Sequence, residues 1–182
     1  RRPTTMAHEN TLAQDSPLHD IPDISSYNLY FGWYKGVFEE NGVFLDSFHQ
    51  KHPQRCVGLS EYGADANIDL QAGKPVKGDF TETYQSLYHE HLLQTIEERP
   101  YLWATHVWNL FDFAAAHRND GASRPKLKGL GHHGPQAAQR RLLPVQIPLE
   151  QGTMVHLCGS RYVDRTEDVT EVKVYSNQPQ VS

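Results

Sequence analysis

The sequence predicts an α/β architecture in which a parallel sheet is covered by helices and forms part of a (β/α)₈ barrel. Three observations carry this. Strand-like and helix-like segments alternate through the first 115 residues. The strand-like segments are apolar almost throughout, as strands of a parallel sheet buried on both faces are. The chain has 182 residues, whereas a complete barrel takes about 250, so it has room for roughly half of one.

The elements follow in order. "RPTTMA" reads as a short strand that gives way to the polar loop "HENTLAQDSPLHDIPD". "SSYNLYFGWY" is aromatic and β-prone, a strand ending near Gly32. "VFLDSFHQKH" has helical spacing and stops before Pro53, and "CVGLSE" is again a strand. After the loop "GADANIDLQAGKPVKG", Asp79 followed three residues later by Glu82 predicts a capping box. Tyr84, Leu87, Tyr88, Leu92 and Ile96 then form one apolar helical stripe, closed by Pro100. "YLWATHVWNLFDFAA" is a long apolar strand, and the tail "VTEVKVYSN" alternates like the opening strand of a separate β-rich domain.

Composition excludes several classes. With 17 Lys+Arg against 22 Asp+Glu and no basic block, the chain lacks the positive face that a nucleic-acid partner requires. It has no run of about 18 apolar residues, so no membrane partner is expected. The start carries no apolar leader, and a cytoplasmic location is the expectation. Cys56 and Cys158 are too few for a disulfide framework and read as ordinary buried thiols.

Working residues of parallel α/β barrels lie at the C-terminal ends of strands. Here those ends hold Asn28, Tyr30, Trp33 and Tyr34, then Glu61, then Trp108, Asn109 and Asp112. An acid among tyrosines and tryptophans suits a sugar: aromatic faces pack on the C–H face of a pyranose ring. A tyrosine hydroxyl can hold the carboxylate ionised and aimed at an oxocarbenium-like transition state. An acid after a strand is more often simply solvated, and aromatics near strand ends are more often core.

The blocks "SSYNLYFGWYKG", "VGLSEYGA" and "HVWNLFDFAAAHRNDG" resemble, in this order and spacing, the β-galactosidases and β-glucuronidases of glycoside hydrolase family 2. "RPTTMA" resembles the family's fifth barrel strand, and the three blocks its sixth to eighth. "GSRYVDRTEDVTEVKVYSN" resembles the start of the β-sandwich that follows the barrel in the galactosidases. The resemblance thus implies a C-terminal half barrel over residues 1–130 and the start of a sandwich over 154–182. By position it makes Glu61 the catalytic nucleophile of a retaining mechanism, Tyr30 its neighbouring tyrosine and Trp108 the sugar platform. It matches Lys128 to a lysine near the substrate, and from their places by strand ends His8, Asn28 and Asp112 are expected as further contacts. A β-galactoside is the expected substrate, because "KLK" (Lys126 to Lys128) lacks the asparagine of the Asn-x-Lys element in the family's glucuronidases. A β-glucuronidase is the alternative within the family, and a non-catalytic remnant the alternative outside it. No cofactor is required. Magnesium or sodium belongs at most to the full-length parent, which is expected to be a homo-oligomer.

The chain departs from the family twice. The family's general acid/base sits in an Asn-Glu pair upstream of these strands, and no Asn-Glu pair occurs here, so the isolated segment is expected to be incomplete and inactive. Residues 131–153, "GHHGPQAAQRRLLPVQIPLEQGT", carry four glutamines and three prolines where the family has an aromatic helix. Suitable codons read one base later can give "VTMDRKRRKDAFYLYKYLWSKEP", which is family-like, so a translation-frame slip is the expected origin. His132 and His133 lack a third ligand spaced to hold a metal.

Overall fold

A computed structural model describes residues 1–67, 70–109, 152–160, 162–165 and 168–180. They fall into two compact units. The first comprises Arg1–Ala64 and His91–Asn109; the second comprises Asp65–Glu90 and the described residues from Gly152 onward.

The first unit is built on four parallel strands, β1 (Thr5–Glu9), β2 (Ile24–Asn28), β3 (Val57–Tyr62) and β4 (Leu102–Val107), in the spatial order of the sequence. Sequential order with parallel pairing requires a crossover after each strand. A short 3₁₀ turn (Pro17–Asp20) lies between β1 and β2, and helix α1 (Glu39–Lys51) lies between β2 and β3. The expected alternation of strand and helix is therefore present, giving a small α/β fragment.

Helix α1 buries Leu45 and Phe48, and its aromatic side lies on the sheet. The Tyr27 ring of β2 meets Phe44 at 4.8 Å and Phe48 at 5.4 Å, both near edge-on. β3 is packed hardest, with Val57, Gly58 and Leu59 fully buried. Gly58 has to be glycine: a Cβ there would stand 2.6 Å from the Ala104 carbonyl oxygen and 2.5 Å from the Trp103 indole nitrogen. Arg99 ties helix and sheet layers together. It donates to both carboxylate oxygens of Asp46 on α1, at 3.0 and 2.7 Å, and Tyr101 donates to the same carboxylate at 2.5 Å.

The second unit contains the loop from Asp65, the N-terminal part of helix α2 (Glu82–Glu97), and the antiparallel pair β5 (Val155–Leu157) and β6 (Val174–Ser176). Glu90 accepts from the Lys173 ammonium at 2.8 and 2.9 Å and from the Tyr175 hydroxyl, which holds β6 against the helix.

Several expectations shift. β2 ends at Asn28, not near Gly32. The chain then turns, with Gly32 at φ 87° and its N–H donating to the Lys35 carbonyl at 2.7 Å. α1 starts at Glu39, four residues before the expected start, because Glu40 accepts from the Val37 N–H at 2.9 Å and the buried Asn41 amide donates to the Phe38 and Phe31 carbonyls, both at 2.9 Å. The cap of α2 is Thr81, not Asp79: its hydroxyl accepts from the Tyr84 N–H at 3.0 Å. Asp79 instead holds the cap, accepting from the Thr81 N–H and hydroxyl, both at 2.9 Å. In the α2 stripe Tyr84, Tyr88 and Leu92 are buried, joined by the polar Gln85 and His89. Cys56 is exposed and Cys158 half-buried, and both are free thiols. Cys56 precedes the first residue of β3, so it escapes the burial of Val57. Among the described residues no helix is long and apolar enough to cross a membrane.

Candidate functional site

β2 and β3 run in register from Ser25↔Val57 to Tyr27↔Leu59, then slip by one, so that Asn28 pairs with Glu61. Side chains alternate along a strand. Strict pairing would therefore leave Glu61 on the face of Leu59 and Tyr27, the face covered by α1. The slip takes it out of that alternation and sets it opposite Asn28, as irregularities at sheet rims commonly do beside active sites.

The loop after β2 carries Tyr30, whose hydroxyl donates to Glu61 Oε2 at 2.7 Å. This is the distance of a charge-assisted O–H···O⁻ bond. Glu61 is half-buried, and its Oε1 makes no hydrogen bond among the described residues. One carboxylate oxygen is held and the other is available, the arrangement a carboxylate nucleophile requires. The Leu29 N–H donates to the Glu61 carbonyl at 3.0 Å, fixing the backbone between the two residues. The Tyr30 ring lies 5.1 Å from that of Tyr34, which is 54% exposed, so an aromatic surface adjoins the carboxylate.

Trp108 is the first residue past β4, and its N–H donates to the Tyr62 carbonyl at 2.8 Å. It therefore follows β4 out of the sheet beside the strand end that carries Glu61, with its side chain 43% exposed. Tyr62 next to Glu61 is buried, which pushes its hydroxyl up to about 12 and keeps it neutral.

Asn28, Tyr30, Glu61 and Trp108 thus come together at the C-terminal edge of the sheet. His8 does not join them. It pairs in register with Tyr27, and its ring packs against His19 at 4.6 Å and Tyr27 at 5.5 Å, on the α1 side of the sheet. Burial, and then the neighbouring His19, lower the pKa of His8 from the ordinary histidine value. Asp112 and Lys128 lie outside the described residues, as do His132 and His133. Among the described residues no group of three or more His, Cys, Asp or Glu side chains could hold a metal ion.

Two supporting residues were not singled out from the sequence. Ser60 donates to Asn28 Oδ1 at 2.8 Å. Asn41 anchors the Tyr30-bearing loop through the Phe31 carbonyl. A buried asparagine in the first turn of a helix was the available signal for the latter; a serine before a strand-end acid gives none.

No protein-family model matches the chain. A β-glucuronidase of Bacteroides fragilis is 40% identical over 135 residues, which are 71% of this chain and 19% of that protein. The crystal structure of an FMN-binding β-glucuronidase from F. prausnitzii L2-6 superposes with a TM-score of 0.86 at 42% identity, covering 97% of this chain and 28% of that one. A candidate β-galactosidase from Bacteroides fragilis superposes with a TM-score of 0.82 at 28% identity, covering 97% and 27%. Homologues that are glycoside hydrolases of the β-glucuronidase and β-galactosidase type therefore cover nearly the whole chain, and the chain spans 19% to 28% of their length.

Proposed function

We propose that the chain is part of a retaining β-glycoside hydrolase in which Glu61 is the nucleophile. The observation that carries this reading is the Tyr30–Glu61 hydrogen bond at the strand end, which leaves the second carboxylate oxygen available. Glu61 attacks the anomeric carbon, and the bond to the leaving-group oxygen breaks as that oxygen takes a proton from a second carboxyl group. The resulting glycosyl ester is opened by water, whose proton returns to that second group, and the sugar leaves with its configuration retained. Tyr30 keeps the nucleophile ionised and aimed, and Trp108 offers a face to the sugar. Asn28 donates to a sugar oxygen, and Asp112 and Lys128 are assigned to substrate contact on the sequence alone. The second carboxyl comes from the part of the full-length protein that precedes these strands.

In this reading β1 to β4 are strands five to eight of a (β/α)₈ barrel, residues 1–130 its C-terminal half and residues 154–182 the start of a β-sandwich. Residues 131–153 are the product of a frame slip, tested by the coding DNA: a frame one base later that lacks family-like residues sinks this assignment. Of the two sugars, relatives at 40% and 42% identity named as β-glucuronidases favour a β-glucuronide. "KLK" without its asparagine favours a β-galactoside. Hydrolysis transfers no electrons, so FMN has no redox step in it, and in this reading the two carboxyl groups supply the nucleophile and the proton. Magnesium, sodium and homo-oligomer assembly are assigned only to the full-length protein.

The test is covalent trapping by 2-deoxy-2-fluoro glycosides with a dinitrophenolate leaving group, which departs without protonation. The galacto and glucurono forms are compared by intact mass. An adduct mapped to Glu61 and abolished by Glu61→Gln supports the nucleophile, and the faster form identifies the sugar. A folded chain that traps neither is the non-catalytic remnant.

A further inference from the structure

We propose that Ser60 is a positioning residue that acts through Asn28, orienting its amide toward the sugar bound at Glu61; this rests on the nucleophilic role proposed for Glu61. Ser60 is the residue skipped where the β2–β3 register slips, between Leu59, which pairs with Tyr27, and Glu61, which pairs with Asn28. By alternation it lies on the face opposite Leu59, away from α1, and there its hydroxyl donates to Asn28 Oδ1 at 2.8 Å.

A primary amide has one acceptor oxygen and one donor NH₂ group, and a hydrogen bond to the oxygen decides which way the nitrogen faces. With Oδ1 taken by Ser60, the Asn28 Nδ2 group is left as the free donor; it makes no hydrogen bond among the described residues. Asn28 is half-buried beside the half-buried Glu61. A fixed N–H donor there matches a hydroxyl oxygen of a sugar ring whose anomeric carbon lies at Glu61. Without Ser60 the amide can turn and present its oxygen, exchanging a donor for an acceptor at the same point. The ligand class is thus a hydroxylated ring, and Ser60 anchors the amide in the orientation that presents Nδ2 to one hydroxyl.

The experiment has two readouts on the whole chain. In ¹⁵N NMR spectra, Ser60→Ala is expected to shift and broaden the side-chain NH₂ pair of Asn28, assigned by its loss in Asn28→Ala, while Ser60→Thr keeps it sharp. In trapping by the 2-fluoro glycoside, Ser60→Ala is expected to slow labelling about tenfold, what one hydrogen bond supplies, with Ser60→Thr within about threefold of the parent. In the Asn28→Ala background Ser60→Ala should then have no further effect. An Asn28 amide indifferent to Ser60→Ala, or Ser60 and Asn28 effects that multiply, overturns the proposal. A parent chain that is folded but does not label sinks the nucleophile reading instead, and the Asn28 amide resonances then decide the Ser60–Asn28 coupling by themselves.

Discussion

Tyr30→Phe tests the hydrogen bond on which the proposed nucleophile depends. The substitution removes a single oxygen and keeps the ring that lies 5.1 Å from Tyr34. What is lost is the donor to Glu61 Oε2 at 2.7 Å. A hydrogen bond to a charged group contributes about 1.5–3 kcal/mol. Glu61 is half-buried, so water replaces part of that, and the lower end, about 1.5 kcal/mol, applies. If the bond aims the carboxylate at the anomeric carbon, the loss appears in the trapping step as a roughly tenfold slower rate. The assay is the time course of adduct mass at saturating 2-fluoro glycoside, so that weaker binding does not enter. Thermal unfolding is measured alongside, since the ring and its packing are retained. Trapping by Tyr30→Phe at the parental rate, with Glu61→Gln inert, refutes the reasoning: Glu61 would then be the nucleophile without needing Tyr30.

The remaining predictions concern stability. Gly58→Ala forces a Cβ to 2.6 Å from the Ala104 carbonyl oxygen and is expected to cost about 1–3 kcal/mol; an unchanged denaturation midpoint contradicts the tight β3–β4 packing. Thr81→Ala removes the cap of α2 and should cost about 1 kcal/mol, whereas Asp79→Ala should cost a similar amount only while Thr81 is present. Asp46→Ala removes one of the two carboxylates paired with Arg99, the other being Glu98 at 3.5 Å, and, on a half-exposed pair, is expected to cost up to about 1 kcal/mol. The hydrogen bond from Arg99 holds the Asp46 carboxyl below its usual range, so this contribution is present above about pH 4 and fades as the pH falls through the depressed value. Burial holds His8 and His19 below the ordinary histidine value and His89 down to about 4. The unfolded chain therefore takes up protons first as the pH drops. Stability should be fully present above about pH 6.5 and decline below it; a melting temperature flat from pH 7 to 5 argues against these buried neutral rings.

Much of this protein is determined locally. The apolar run Val57–Leu59 makes a buried strand because its side chains gain by leaving water, and the aromatic and β-branched residues of Leu102–Val107 favour a strand although Trp103 and His106 stay exposed. The stripe through Tyr84, Tyr88 and Leu92 makes a helix because those positions share one face. The same local logic placed Tyr30, Glu61 and Trp108 at strand ends, where backbone leaves the sheet and side chains become available. It misjudged one local cap and the placements that depended on a distant partner. His8 looks like a rim residue until register pairs it with Tyr27 and turns it to the α1 side. Asp79 has the spacing of a cap, yet the Thr81 hydroxyl is the group that reaches the first turn. The pairing of Asn28 with Glu61, and the Ser60 hydroxyl on the Asn28 amide, arise from a slip between two strands some thirty residues apart. Sequence alone fixes which residues are apolar and where chains must turn, because those depend on each residue and its neighbours. Only the tertiary structure decides which face a strand-end side chain takes, because register is a relation between strands and a one-residue slip reverses it.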